Sequence, residues 1–82
     1  TFEGLSLALE AGKIGGSMPT VFNAANEKAV SMFLNREIRY LEITEMIRSC
    51  MEQHKTIQNP TVEEILQTEQ EIYEWINSSF RK

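Results

Sequence analysis

Apolar side chains recur at three-and-four spacing along almost the whole chain, and strand-like alternation is scarce. Glycine or proline interrupts that spacing at few places, the clearest being Gly15-Gly16, Pro19 and Asn59-Pro60. Left-handed backbone is cheap at paired glycines, so a helix can stop there. The residue before a proline is disfavoured in helix, so Asn59 marks a turn. The pattern therefore predicts helices joined by short links and leaves little room for a sheet.

The first helix is expected over about residues 2–13, with Phe2, Leu5, Ala8, Leu9 and Gly12 on one face. Ser17 is placed to cap the second helix, and Pro19 is tolerated in its first turn because the missing N–H is not needed there. That helix runs to about Asn35. Phe22, Ala25, Ala29 and Phe33, with Val30 and Met32 beside them, make a wide apolar face. The small residues Ala24, Ala25 and Ala29 would let another helix approach closely. After a link over 36–41, Ile43, Met46, Ile47, Cys50 and Met51 form the cleanest stripe in the chain, which frays near His54. Thr61-Val62-Glu63-Glu64 matches a capping box, and Thr68-Glu69-Gln70-Glu71 matches it again seven residues later. Two start signals so close predict a one-turn helix, a break at Gln67-Thr68, and a longer helix to about Phe80. In that last helix Ile72, Trp75, Ile76 and Phe80 share a face, with Glu69, Glu71 and Glu74 mostly off it. The expected fold is all-α: a small antiparallel bundle of about four helices plus one short extra helical turn, residues 1–82 forming a single helical domain.

Charge narrows the partners. Twelve acidic residues, all Glu, stand against eight Lys plus Arg, for a net charge of −4. A phosphate backbone is repelled by that balance, and no basic cluster compensates locally, so nucleic acid is not expected as a partner. No run approaches the roughly 18–20 apolar residues of a membrane span, so a soluble chain is expected. The lone Cys50 excludes an internal disulfide and suits a reducing compartment. The first residue is Thr1 and no leader-like segment follows, which points to a piece of a larger protein.

No catalytic constellation emerges. His54 is the sole histidine and no second ligand sits at zinc spacing, so it reads as a surface or helix-end residue. Cys50 lies within an apolar stripe and reads as a small buried hydrophobe, since a reactive thiol needs exposure and a nearby positive charge. Glu63 and Glu64 suit a helix N-terminus better than acid–base work. Gly15-Gly16 lacks the pattern of a phosphate-binding loop. Asn23, Asn26 and Glu27, near the start of the second helix, have two readings. Their polar groups bond locally, or they form a docking patch for another domain of the same polypeptide.

The string Gly16-Ser17-Met18-Pro19-Thr20-Val21-Phe22-Asn23-Ala24-Ala25-Asn26-Glu27 resembles the C-terminal region of the 1-deoxy-D-xylulose 5-phosphate reductoisomerase family. Ile38-Arg39-Tyr40-Leu41-Glu42-Ile43 and Thr61-Val62-Glu63-Glu64-Ile65-Leu66 follow the same pattern, and the likeness extends over nearly all of the chain. Where the family often carries Asp and Pro, this chain has Glu42 and Thr44. The resemblance implies a parent enzyme that converts 1-deoxy-D-xylulose 5-phosphate to 2-C-methyl-D-erythritol 4-phosphate in non-mevalonate isoprenoid biosynthesis. It implies NADPH and Mg²⁺ or Mn²⁺ as cofactors of that parent, with none bound by this segment and no catalytic, cofactor or metal residue within it. It also implies the remaining domains as partners, a homodimeric parent, and a bacterial cytoplasm or a plastid stroma as the location. The competing expectation is an independent helical protein-interaction module.

Overall fold

The computed structural model describes residues 2–80, Phe2 by its backbone alone. Four helices follow one another: α1 (Phe2–Ile14), α2 (Met18–Leu34), α3 (Leu41–Gln53) and α4 (Val62–Phe80). The all-α expectation is met, and no strand occurs among the described residues.

Helix α2 is the centre of the bundle. It packs against each of the other three, while among the described residues α1 and α4 do not pack against each other. Its buried residues explain why: Met18, Val21, Ala24, Ala25, Ala29 and Met32 surround the helix on several sides, and the three alanines allow close approach. Helix α3 buries Met46, Ile47, Cys50 and Met51, as its stripe predicts, with Ile43 partly covered. Ile72 and Ile76 anchor α4, with Trp75 and Phe80 packed at the edge of the core and edge-to-face against each other. Fully burying side chains of this size contributes roughly 1.5–3 kcal/mol each.

Two expectations about faces and breaks are corrected. In α1 the buried side chains are Leu7 and Ala11, one turn apart, whereas Leu5 and Leu9 are 59% and 60% exposed. Several apolar residues in a short helix admit more than one stripe, and here Leu7 with Ala11 presents the narrow ridge that fits against α2 and α3. The Phe2 side chain, also assigned to the expected face, lies outside the described residues. In the C-terminal third, α4 runs without a break from Val62 to Phe80. The first capping box forms in full: the Thr61 N–H donates to Glu64 Oε1 at 2.9 Å and the Glu64 N–H to Thr61 Oγ1 at 3.1 Å. The second match goes unused because Thr68 is buried inside the helix against the core. The expected extra turn is therefore the first turn of α4.

The helix ends show how the links are made. After α2, Arg36 takes a left-handed φ of 62°, its N–H donates to the Phe33 carbonyl, and the Glu37 N–H reaches the Met32 carbonyl. That is a Schellman closure with arginine where glycine is usual. At the start of α3 the Arg39 N–H donates to Glu42 Oε1 at 2.7 Å, so Glu42 reaches back to a backbone donor at this helix end.

Candidate docking surface

Ser17 is expected to cap α2 but makes no side-chain capping bond. It is fully buried, and its polar groups tie α2 to the link between α3 and α4. The Ser17 N–H donates to the Ile57 carbonyl at 2.9 Å, and the Ile57 N–H donates to Ser17 Oγ at 2.8 Å. Ser17 Oγ also lies 2.7 Å from His54 Nε2. The serine hydrogen needs an acceptor, so the pairing that satisfies every donor has Oγ–H donating to Nε2 of a neutral imidazole. Burial holds the His54 pKa below its ordinary value, and the nearby Glu71 opposes that shift. His54 is thus the helix-end residue expected, with a structural bond that its sequence neighbours do not reveal. Because the start of α2 meets the end of α3, these two helices run antiparallel.

Gly16 makes this contact possible. Its φ is 56°, and a β-carbon there would lie 2.3 Å from the Ile57 carbonyl oxygen. Gly15 also has a left-handed φ, 72°, but its missing β-carbon would meet nothing within 4 Å.

The three polar residues of α2 are all exposed, and each has its own surroundings. Glu27 Oε1 accepts a 2.6 Å bond from the Tyr73 hydroxyl of α4. That bond, with burial and the charges of Glu69 and Glu27 adding to it, pushes the Tyr73 pKa up to about 12. Asn26 is the next residue but points roughly 100° away around the helix, toward α1 and α3. There it borders a groove of about 390 Å³ with Leu5, Phe22, Val30, Leu41 and Ile43. Asn23 is exposed. Among the described residues neither amide has a side-chain hydrogen-bond partner.

Much of the groove is apolar and open. Leu41 is 80% exposed, and Val30 and Tyr40 are also exposed. Glu3 of α1, which also lines the groove, has its carboxylate paired with the Arg48 guanidinium of α3. A second exposed apolar cluster, Val62, Ile65 and Leu66, lies on the opening turns of α4. The periodicity that marks these residues as apolar cannot distinguish a core face from a docking face.

Cys50 is fully buried, and burial alone pushes its thiol up to about 12, so it remains protonated and unreactive near neutral pH. Among the described residues no three His, Cys, Asp or Glu side chains come together as a metal site. No described helix is long and apolar enough to cross a membrane.

The described residues thus define an all-α bundle with an apolar groove left open on its surface. The model of the 1-deoxy-D-xylulose 5-phosphate reductoisomerase C-terminal domain matches residues 1–75, and the chain belongs to that family. It is 56% identical over 77 residues to the 1-deoxy-D-xylulose 5-phosphate reductoisomerase of Agathobacter rectalis, covering 94% of this chain and 20% of that protein. It is 50% identical over 82 residues to the enzyme of that name from Thermoanaerobacter sp., covering 100% of this chain and 22% of the relative. The reductoisomerase of Lachnoclostridium phytofermentans is 56% identical over 73 residues, 89% of this chain and 19% of that protein. The chain thus spans about a fifth of the length of these relatives. No solved structure matches it. Family membership displaces the competing expectation of an independent interaction module.

Proposed function

We propose that residues 1–82 form one helical unit, the C-terminal structural domain of an enzyme that converts 1-deoxy-D-xylulose 5-phosphate to 2-C-methyl-D-erythritol 4-phosphate. The observation that carries this reading is the family match over residues 1–75, together with identities of 50–56% to proteins named as that reductoisomerase. NADPH and a divalent cation, Mg²⁺ or Mn²⁺, belong in this reading to the rest of the enzyme. The described residues supply no converging ligand set for the metal. What this chain contributes is a rigid body: a core built around α2, polar ties that lock its links, and open apolar surface for neighbouring domains. Asn23 and Asn26 act as docking amides, and Glu27 stands at the edge of that surface with one oxygen engaged by Tyr73. The enzyme is a homodimer of the bacterial cytoplasm, in keeping with the bacterial sources of its relatives.

Following NADPH oxidation with 1-deoxy-D-xylulose 5-phosphate and Mn²⁺ tests the reading directly. The full-length enzyme turns over, and the 82-residue chain alone does not. Turnover by the isolated chain, or a full-length protein inert toward this substrate, would overturn it.

A further inference from the structure

The link between α3 and α4, residues 54–61, is tied to α2 by groups whose bonding depends on a proton. His54 Nε2 accepts from the Ser17 hydroxyl only while the imidazole is neutral, and Ser17 Oγ in turn accepts the Ile57 N–H. We propose that His54 is a two-position pH switch: neutral, it locks this link onto α2 through Ser17; protonated, its ring turns into the neighbouring cleft beside Glu71 and the link is released.

The knot has no place for an imidazolium. Once Nε2 carries a proton it no longer accepts, and the Ser17 hydroxyl hydrogen loses its acceptor in a fully buried site. Turning the bond round would make Ser17 Oγ accept twice, from Nε2–H and from the Ile57 N–H. That arrangement still leaves the hydroxyl hydrogen unpaired, which a buried polar group does not tolerate cheaply.

The cleft does have such a place. His54 lines a space of about 420 Å³ between the link and α4, together with Lys55, Glu71, Glu74 and Trp75. The Gln67 amide holds one Glu71 oxygen at 3.3 Å, which leaves the other for an imidazolium. Burial in the knot disfavours the charged ring, while Glu71 favours it, and these opposed influences correspond to the two positions. Around the ring the charged groups are Glu71 and Glu74 of α4 and Lys55 of the link. From α3 the cleft receives Gln53, and from the α2 side the contact is Ser17, both uncharged. His54 closes α3 with extended backbone, φ −83° and ψ 134°, and its N–H donates to the Met51 carbonyl. Rotation of the side chain alone therefore carries the ring across.

Hydrogen–deuterium exchange of the full-length protein, read by mass spectrometry and corrected for the intrinsic pH dependence of exchange, tests the switch. Between roughly pH 7.5 and 5.5, peptides covering residues 54–61 are expected to lose protection by about fivefold or more, while those covering residues 46–51 keep theirs. His54→Gln, whose amide oxygen still accepts from Ser17, is expected to hold the link closed at both pH values. Glu71 is exposed, so Glu71→Gln leaves the knot intact and is expected to move the loss to lower pH, because the imidazolium loses its partner. Unchanged protection of the link at the lower pH overturns the proposal, and so does an equal loss across all four helices, which is general unfolding. A pH-dependent loss that persists in His54→Gln assigns the effect to another group. An unchanged midpoint in Glu71→Gln removes the second position. The wild-type profile and the Glu71→Gln shift decide the matter even where His54→Gln does not fold.

Discussion

Single residues at the α1–α2 link carry more of the architecture than their chemistry suggests. Gly15 and Gly16 look equivalent in sequence, and both adopt left-handed backbone. Only Gly16 faces a backbone carbonyl at a distance no β-carbon tolerates. Gly15→Ala is expected to cost about 1–2 kcal/mol, the strain of a left-handed alanine. Gly16→Ala is expected to cost clearly more, at least ~2 kcal/mol, because the link carrying Ile57 must also move. Chemical denaturation of the two variants side by side checks this, and equal losses would mean that the Ile57 contact is unimportant. The serine that follows is a comparable case. It has the composition of a helix cap, yet its hydroxyl serves the Ile57 N–H and His54, forty and thirty-seven residues away in the chain.

At the scale of elements, the two capping-box matches separate a signal that acts from one that tertiary packing overrides. Thr61 and Glu64 make both bonds of the box. Thr68 lies inside α4 and is buried, so its side chain fills space. Thr61→Ala should therefore cost about 1 kcal/mol, whereas Thr68→Val should change stability by well under that. A helix break at Thr68 would reverse the order of the two losses in thermal unfolding. Periodicity performed well where one stripe stood alone, as in α3 and the second half of α4. It failed in α1 because Leu5, Leu7, Ala8, Leu9 and Ala11 offer competing stripes, and only the surfaces of α2 and α3 choose among them.

For the whole molecule, the polar knot at Ser17 and His54 couples bundle stability to pH. Burial holds the His54 pKa below 6.5 in the folded chain, so between that lowered value and 6.5 the unfolded chain binds more protons. The contribution is therefore complete above about pH 6.5 and is lost as pH falls through the folded-state value. Urea midpoints measured from pH 7 down to 5.5 should decline, and His54→Gln should flatten that slope. An unchanged slope in the variant would remove His54 as the cause. The open groove and the exposed leucines give a second expectation at this scale. The isolated chain should self-associate as its concentration rises, and Leu41→Lys should weaken that association. Sedimentation velocity across a concentration series reads both, and a strict monomer at high concentration would count against it.

Family and fold class were legible in the residues themselves. Helical spacing, the Gly15-Gly16 and Asn59-Pro60 breaks, and the Asn23–Glu27 string required no coordinates, because they arise from local backbone chemistry and from an ordered run of side chains. Which apolar residues are core and which are surface was not legible. Burial depends on what packs opposite, and Leu7 becomes core while Leu5 and Leu41 remain open only once α2 and α3 are in place. Nor did the sequence show the partners of Ser17, His54, Glu27 and Tyr73, since hydrogen bonds across 37 to 46 residues exist only after the chain has folded. Local periodicity determined that this chain is a helical bundle; tertiary packing alone decided which of its apolar faces are core and which remain open.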